Sequence, residues 1–160
     1  MNETLRITLL RHAHAQPAAA GETDADRGLS PTGEAEAEAA ARWLAARPRP
    51  KRVLCSPAQR TRQTLALVEE SLGFIDTRIE PDIYEATPGA LLELIDRHRE
   101  AGGLLLVGHN PGFESLAALL ATGQSGDHRG MPPAGIAELE LTAGTALEPG
   151  AARLVAFWSP

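Results

Sequence analysis

LLLVGHNPG, residues 104–112, is the stretch on which the fold turns. Leu104, Leu105, Leu106 and Val107 form an unbroken apolar run. A run without alternation describes a strand buried on both faces, as in a parallel sheet covered by helices. Gly108 and His109 follow at once, and Asn110 suits the N-cap of a helix ending near Gly123. A histidine therefore stands where a central strand hands over to a helix.

The same handover recurs upstream. Residues 5–10 predict a strand that ends at Arg11, with His12 and His14 just beyond and a polar loop over 16–29. Ser30-Pro31 then opens a helix to about Ala46, serine as cap and proline in the first turn. Arg52–Cys55 predicts a second strand. Ser56-Pro57 repeats the cap signature for a helix to Leu72, with Arg60 one turn in and Thr61, Leu65, Val68 and Leu72 on one buried stripe. A short strand is expected over 77–80, and Thr87-Pro88 caps a third helix to about Ala101. Ala137, Leu139 and Leu141 alternate with Glu138, Glu140 and Thr142, which predicts a strand with one wet face. Residues 152–158 pair with it as an antiparallel hairpin. Alternating strands and helices describe a three-layer α/β/α sandwich, with a mostly parallel central sheet and an antiparallel edge hairpin. One domain is expected over residues 1–160.

Composition bounds the function. The chain has 160 residues, enough for one core without disulfides or a structural metal. Its single cysteine, Cys55, rules out a disulfide framework. The formal charge of -6 argues against a nucleic-acid partner. No signal peptide and no stretch approaching 18 apolar residues is present, so a cytoplasmic protein without a membrane partner is expected. The run Glu34, Glu36, Glu38 reads as a solvated helix face and His98 as a surface residue.

In parallel α/β sheets, ligands bind at the carboxyl ends of the strands. Arg11, His12 and His14 from the first strand, Ser56 and Arg60 from the second and His109 from the fourth are expected to meet there. Guanidinium forks and helix N-termini both match an anion such as a phosphoryl group. His12-x-His14 is also the spacing of a metal pair. A metal needs further ligands, however, and Arg11 alongside repels a cation.

Four segments carry a family resemblance, in order, across nearly the whole chain: LLRHAHA (9–15), LSPTGEAEA (29–37), CSPAQRTRQT (55–64) and VGHNPG (107–112). They resemble the histidine phosphatase, or phosphoglycerate-mutase-like, superfamily, with Ala13 where glycine is usual. The short length and GHNPG resemble its SixA-type phosphohistidine phosphatase branch. Mutases of the superfamily are longer, with an insertion over the active site.

The resemblance implies a metal-independent phosphatase without cofactors. His12 is the nucleophile and becomes phosphohistidine; water then releases phosphate. Arg11, Arg60 and His109 contact the non-bridging oxygens, and charge stabilisation supplies most of the catalysis. His12 has to be neutral to attack, while His109 is more useful as a cation. Glu85 stands where the resemblance puts the general acid, with Glu80, Asp82 and Asp127 as neighbours or rivals. His14 and His128 are candidate substrate-binding residues at the pocket mouth. The implied partner is a phosphorylated protein, such as a phosphotransfer domain carrying phosphohistidine. A small phosphorylated metabolite is the alternative substrate, and a phosphate- or phosphoprotein-binding module the non-enzymatic one. Oligomeric state is left open.

Overall fold

The computed structural model describes residues 3–126 and 130–160. Strands and helices alternate as β1 (Thr4–Arg11), α1 (Pro31–Ala45), β2 (Arg52–Cys55), α2 (Gln59–Leu72), β3 (Asp76–Ile79), α3 (Pro88–His98), β4 (Gly103–Gly108), α4 (Gly112–Thr122), β5 (Ile136–Thr142) and β6 (Arg153–Trp158). Among the described residues they build one sheet in the order β3-β2-β4-β1-β5-β6. β3, β2, β4 and β1 are parallel neighbours. β5 runs antiparallel to β1, and β6 to β5, so the expected edge hairpin is present.

Helices cover both faces. Leu5, Ile7, Leu9, Leu104 and Leu106 pack with α3 and α4 through Leu91, Leu94, Ile95, Phe113 and Leu116. Leu10, Val53, Leu105 and Val107 pack on the other face with α1 and α2 through Ala37, Ala41, Leu44, Leu65 and Val68. The side chains of 104–107 alternate between these two cores, which is why that run tolerates no polar residue.

Local chemistry sets the helix starts. The Ser30 hydroxyl accepts from Gly33 N at 3.0 Å, and the Thr87 hydroxyl from Ala90 N at 3.2 Å. Two starts differ from the sequence reading. α2 begins at Gln59 rather than at Ser56-Pro57, because Ser56 remains in extended pairing, its N–H donating to Val107 O at 3.0 Å. α4 begins after Pro111, and Asn110 caps it from one residue further out, its Oδ1 accepting from Glu114 N at 3.3 Å. α3 stops at His98, and a 3₁₀ turn carries the chain to Ala101.

The wet face predicted for β5 is also corrected. Glu138 is 1% exposed. The chain leaving α1 lays Arg47 over that face, and Glu138 pairs with it and with Arg6 at 2.7 Å. Arg47 stacks on Trp43, and Trp43 on Trp158, which closes the layer. Glu36 is not wholly solvated, since it accepts from His14 N at 2.9 Å. His98 is largely covered, between Glu80 at 3.3 Å and Arg52 at 3.1 Å.

Candidate active site

Strand register brings the site together. β1 and β4 are neighbours with Arg11 opposite Gly108, and His12 N donates to Gly108 O at 3.0 Å. His12 and His109, 97 positions apart by number, therefore leave adjacent strand ends. β2 flanks β4 on its other side, which sets Ser56 beside His109. Gly108 itself has no room for a side chain: a Cβ there would lie 2.5 Å from Phe113 and 2.7 Å from Ile83.

These ends floor a cleft of about 600 Å³. Arg11, His12, Arg27, Arg60, His109, Asp24, Tyr84 and Glu85 supply its ionisable groups, and residues 110–112 bring in the start of α4. Three guanidiniums face two carboxylates, so the cleft is basic in an acidic protein.

His12 Nδ1 lies 2.7 Å from the Ala13 carbonyl oxygen. A carbonyl only accepts, so Nδ1 carries the proton and Nε2 the lone pair. Ala13 is fixed in turn by Thr64, whose hydroxyl accepts from Ala13 N at 3.1 Å and donates to Arg60 O at 2.7 Å. Burial pushes the His12 imidazole down to about 4, with Arg60, Arg11 and Arg27 adding to the effect, so the ring is neutral.

His109 Nε2 lies 2.7 Å from Ser56 Oγ, and its Nδ1 3.4 Å from Arg60 Nη2. Guanidinium only donates, so Nδ1 accepts and Nε2–H donates to Ser56. Burial pushes His109 down to about 3, helped by His12 and Arg60 and opposed by Asp24. In the free site it is neutral rather than the cation expected from sequence. Burial also pushes the Cys55 thiol up to about 12, which leaves it a small packing residue.

The sequence candidates separate cleanly. Arg11, His12, Arg60, His109 and Glu85 line one cleft. Arg11 donates to Met131 O at 2.7 Å. Glu85 is exposed on the rim, with a left-handed φ of 57° that a non-glycine residue adopts at a cost. His14 does not join them: it is exposed, and its Nδ1 lies 2.6 Å from the Ser30 hydroxyl at the start of α1. Glu80 and Asp82 are likewise absent from the cleft wall, facing His98 at 3.3 Å and Arg97 at 3.6 Å. His128 and Asp127 lie outside the described residues.

Sequence reasoning missed Asp24, Arg27 and Tyr84. Asp24 binds Arg60 at 3.0 Å, Arg27 at 3.0 Å and the Tyr84 hydroxyl. The Tyr84 ring meets His109 edge-on at 5.3 Å. One local signal existed: Thr23 and Asp26 form a capping box that stiffens the turn bearing Asp24.

Among the described residues, no group of three or more His, Cys, Asp or Glu is placed to hold a metal ion. None of their helices is long and apolar enough to cross a membrane.

A basic cleft with paired imidazoles at the strand ends of a doubly covered α/β sheet suits a phosphoryl group. The chain belongs to the histidine phosphatase superfamily: the model of its branch 1 matches residues 7–95. Its structural neighbours include SixA-type members, and the class is that of a phosphatase. A crystal structure from Agrobacterium tumefaciens, provisionally assigned as the phosphohistidine phosphatase SixA, superposes with a TM-score of 0.84 at 37% identity over 98% of each chain. The protein histidine phosphatase SixA complexed with tungstate gives a TM-score of 0.81 at 25% identity over 97% of each chain. An uncharacterised protein of Mycobacterium tuberculosis is 40% identical over 152 residues, spanning 88% of this chain and 93% of its own.

Proposed function

We propose that the protein is a phosphohistidine phosphatase, with residues 1–160 acting as one catalytic domain on a phosphorylated protein of a cytoplasmic phosphorelay. The observation that carries this reading is the state of His12. Its Nδ1–H is tied to the Ala13 carbonyl, which leaves Nε2 as a neutral nucleophile among Arg11, Arg60 and His109.

In the first step the Nε2 lone pair attacks phosphorus opposite the leaving group. The P–N bond of the substrate breaks, and a substrate ring protonated on its other nitrogen departs as neutral imidazole. Water then attacks phosphorus on His12, and phosphate leaves with the His12 lone pair restored. Arg11 and Arg60 offset the charge on the non-bridging oxygens throughout, and His109 gains a proton as the dianion arrives. Splitting the transfer in two is the contribution of the nucleophilic side chain.

Two features support a protein substrate: the likeness to SixA-type structures, and the short connection over residues 80–87, which adds no insertion above the cleft. Glu85 favours a second reading. An exposed carboxyl on the rim can protonate an alkoxide, a step that a small phosphate ester requires and phosphohistidine does not.

Phosphate release measured in EDTA tests both readings, comparing a phosphohistidine-bearing phosphotransfer domain with an aryl phosphate. The proposal expects EDTA-resistant release that falls by about 10³-fold or more in His12→Ala. Faster release from the phosphoprotein, with little dependence on Glu85, supports the protein substrate. Preference for the ester with strong dependence on Glu85 supports the metabolite reading. Release abolished by EDTA overturns the mechanism.

A further inference from the structure

We propose that Asp24 is a positioning residue for phosphoryl transfer, holding the Arg60 guanidinium in the plane in which it meets the phosphoryl group. The inference rests on the phosphatase reading and concerns the same cleft.

Arg60 is 6% exposed, and its guanidinium has few partners. Nη2 donates to Asp24 Oδ2 at 3.0 Å and to His109 Nδ1 at 3.4 Å. Nη1 donates to the Asp24 main-chain oxygen at 2.8 Å. The Tyr84 hydroxyl is a further side-chain partner of this guanidinium. Nε is buried without a partner. Asp24 thus holds both Nη atoms, once through backbone and once through carboxylate, and sets the plane of the fork.

The turn that presents Asp24 is itself fixed. Thr23 N and Thr23 Oγ1 each donate to Asp26 Oδ2 at 3.0 Å, and Arg27 joins Asp24 Oδ1 to Gln16 O. From there the carboxylate reaches across to Tyr84, whose ring packs on His109 and under the Arg60 guanidinium. Three chain segments therefore converge on one carboxylate. The Tyr84 hydroxyl, Arg27 and Arg60 hold its carboxyl far below the usual range, so it stays ionised at every working pH.

A carboxylate in a phosphate site also repels the substrate. Asp24 is about half exposed, so water screens that repulsion. The buried Arg60 meets the phosphoryl group through a guanidinium whose plane has to be fixed in advance. Positioning outweighs repulsion, and loss of Asp24 weakens both turnover and phosphate binding.

The test is a double-mutant cycle with Asp24→Ala and Arg60→Ala, read by kcat/KM on an aryl phosphate and by calorimetric titration with inorganic phosphate. Expected is a drop in kcat/KM of about tenfold or more for Asp24→Ala alone, and less than about twofold in the Arg60→Ala background. Phosphate affinity follows the same pattern. Asp24→Asn, which keeps an acceptor oxygen for Arg60, recovers part of the loss and serves if the alanine variant folds poorly. Equal effects in both backgrounds, tighter phosphate binding, or a lowered melting temperature with unchanged kinetics overturns the proposal. Wild-type protein that releases no phosphate sinks the phosphatase reading instead, and the phosphate titration still decides the role of Asp24.

Discussion

The His12 and His109 rings lie 5.3 Å apart, centroid to centroid, at an interplanar angle of 57°. Two imidazolium ions at that spacing, flanked by Arg11 and Arg60, would repel strongly, and burial adds to the penalty. Both rings are therefore neutral, at about 4 and about 3. A phosphate dianion between the rings and the guanidiniums reverses the balance and raises both values.

Phosphate binding is accordingly expected to take up protons near neutral pH. Calorimetric titration in two buffers of different ionisation heat measures this directly. Uptake that disappears in His109→Asn assigns the proton to that ring. Binding with no uptake contradicts the neutral state of the free site.

The same shifts act on stability. Both histidines titrate lower in the folded chain than near 6.5, their value in the unfolded one. Their contribution is full above that pH and is lost as pH falls toward 4, because only the unfolded chain accepts the protons. The urea midpoint is expected to fall between pH 7 and about pH 4.5, and to fall less in His109→Asn. Asp24 stays ionised across this window, so it does not supply the slope.

Ser56→Ala removes the acceptor 2.7 Å from His109 Nε2 and leaves a buried N–H unpaired. The expected cost is roughly tenfold in kcat, about 1.4 kcal/mol, with KM changing less. A variant with wild-type kcat removes Ser56 from the positioning of His109.

Gly33→Ala tests how α1 is seated. A Cβ there would stand 2.0 Å from the His14 carbonyl oxygen, a backbone atom already held by Ser30 N at 3.0 Å. Alanine gains about 1 kcal/mol of helix propensity, but the clash cannot be relieved by rotating a side chain. The variant is expected to lose about 2 kcal/mol in urea unfolding despite the better helix former.

Much of this was legible in sequence because it depended on local signals. The unbroken 104–107 run, the Ser30 and Thr87 caps and the strand-end placement of Arg11, His12 and His109 are all read within a few residues. Glu138 was misread because alternation reports the strand's own pattern, and only the path of the chain after α1 brings Arg47 over it. Ser-Pro fits a helix cap, but the Ser56 hydroxyl, besides accepting from Ala58 N at 3.3 Å, meets His109 just past the end of a neighbouring strand. Asp24 and Tyr84 were missed for the same reason: two loops meet at one guanidinium, and no periodicity encodes that meeting.

The central claim is that phosphorus passes through His12 Nε2. Rapid quench of a single turnover into base, followed by peptide mapping, tests it most directly. The account predicts a base-stable, acid-labile phosphoryl group on the peptide bearing His12, formed and lost at rates that match phosphate release. Phosphate release without that adduct, or an adduct on another residue, would contradict it.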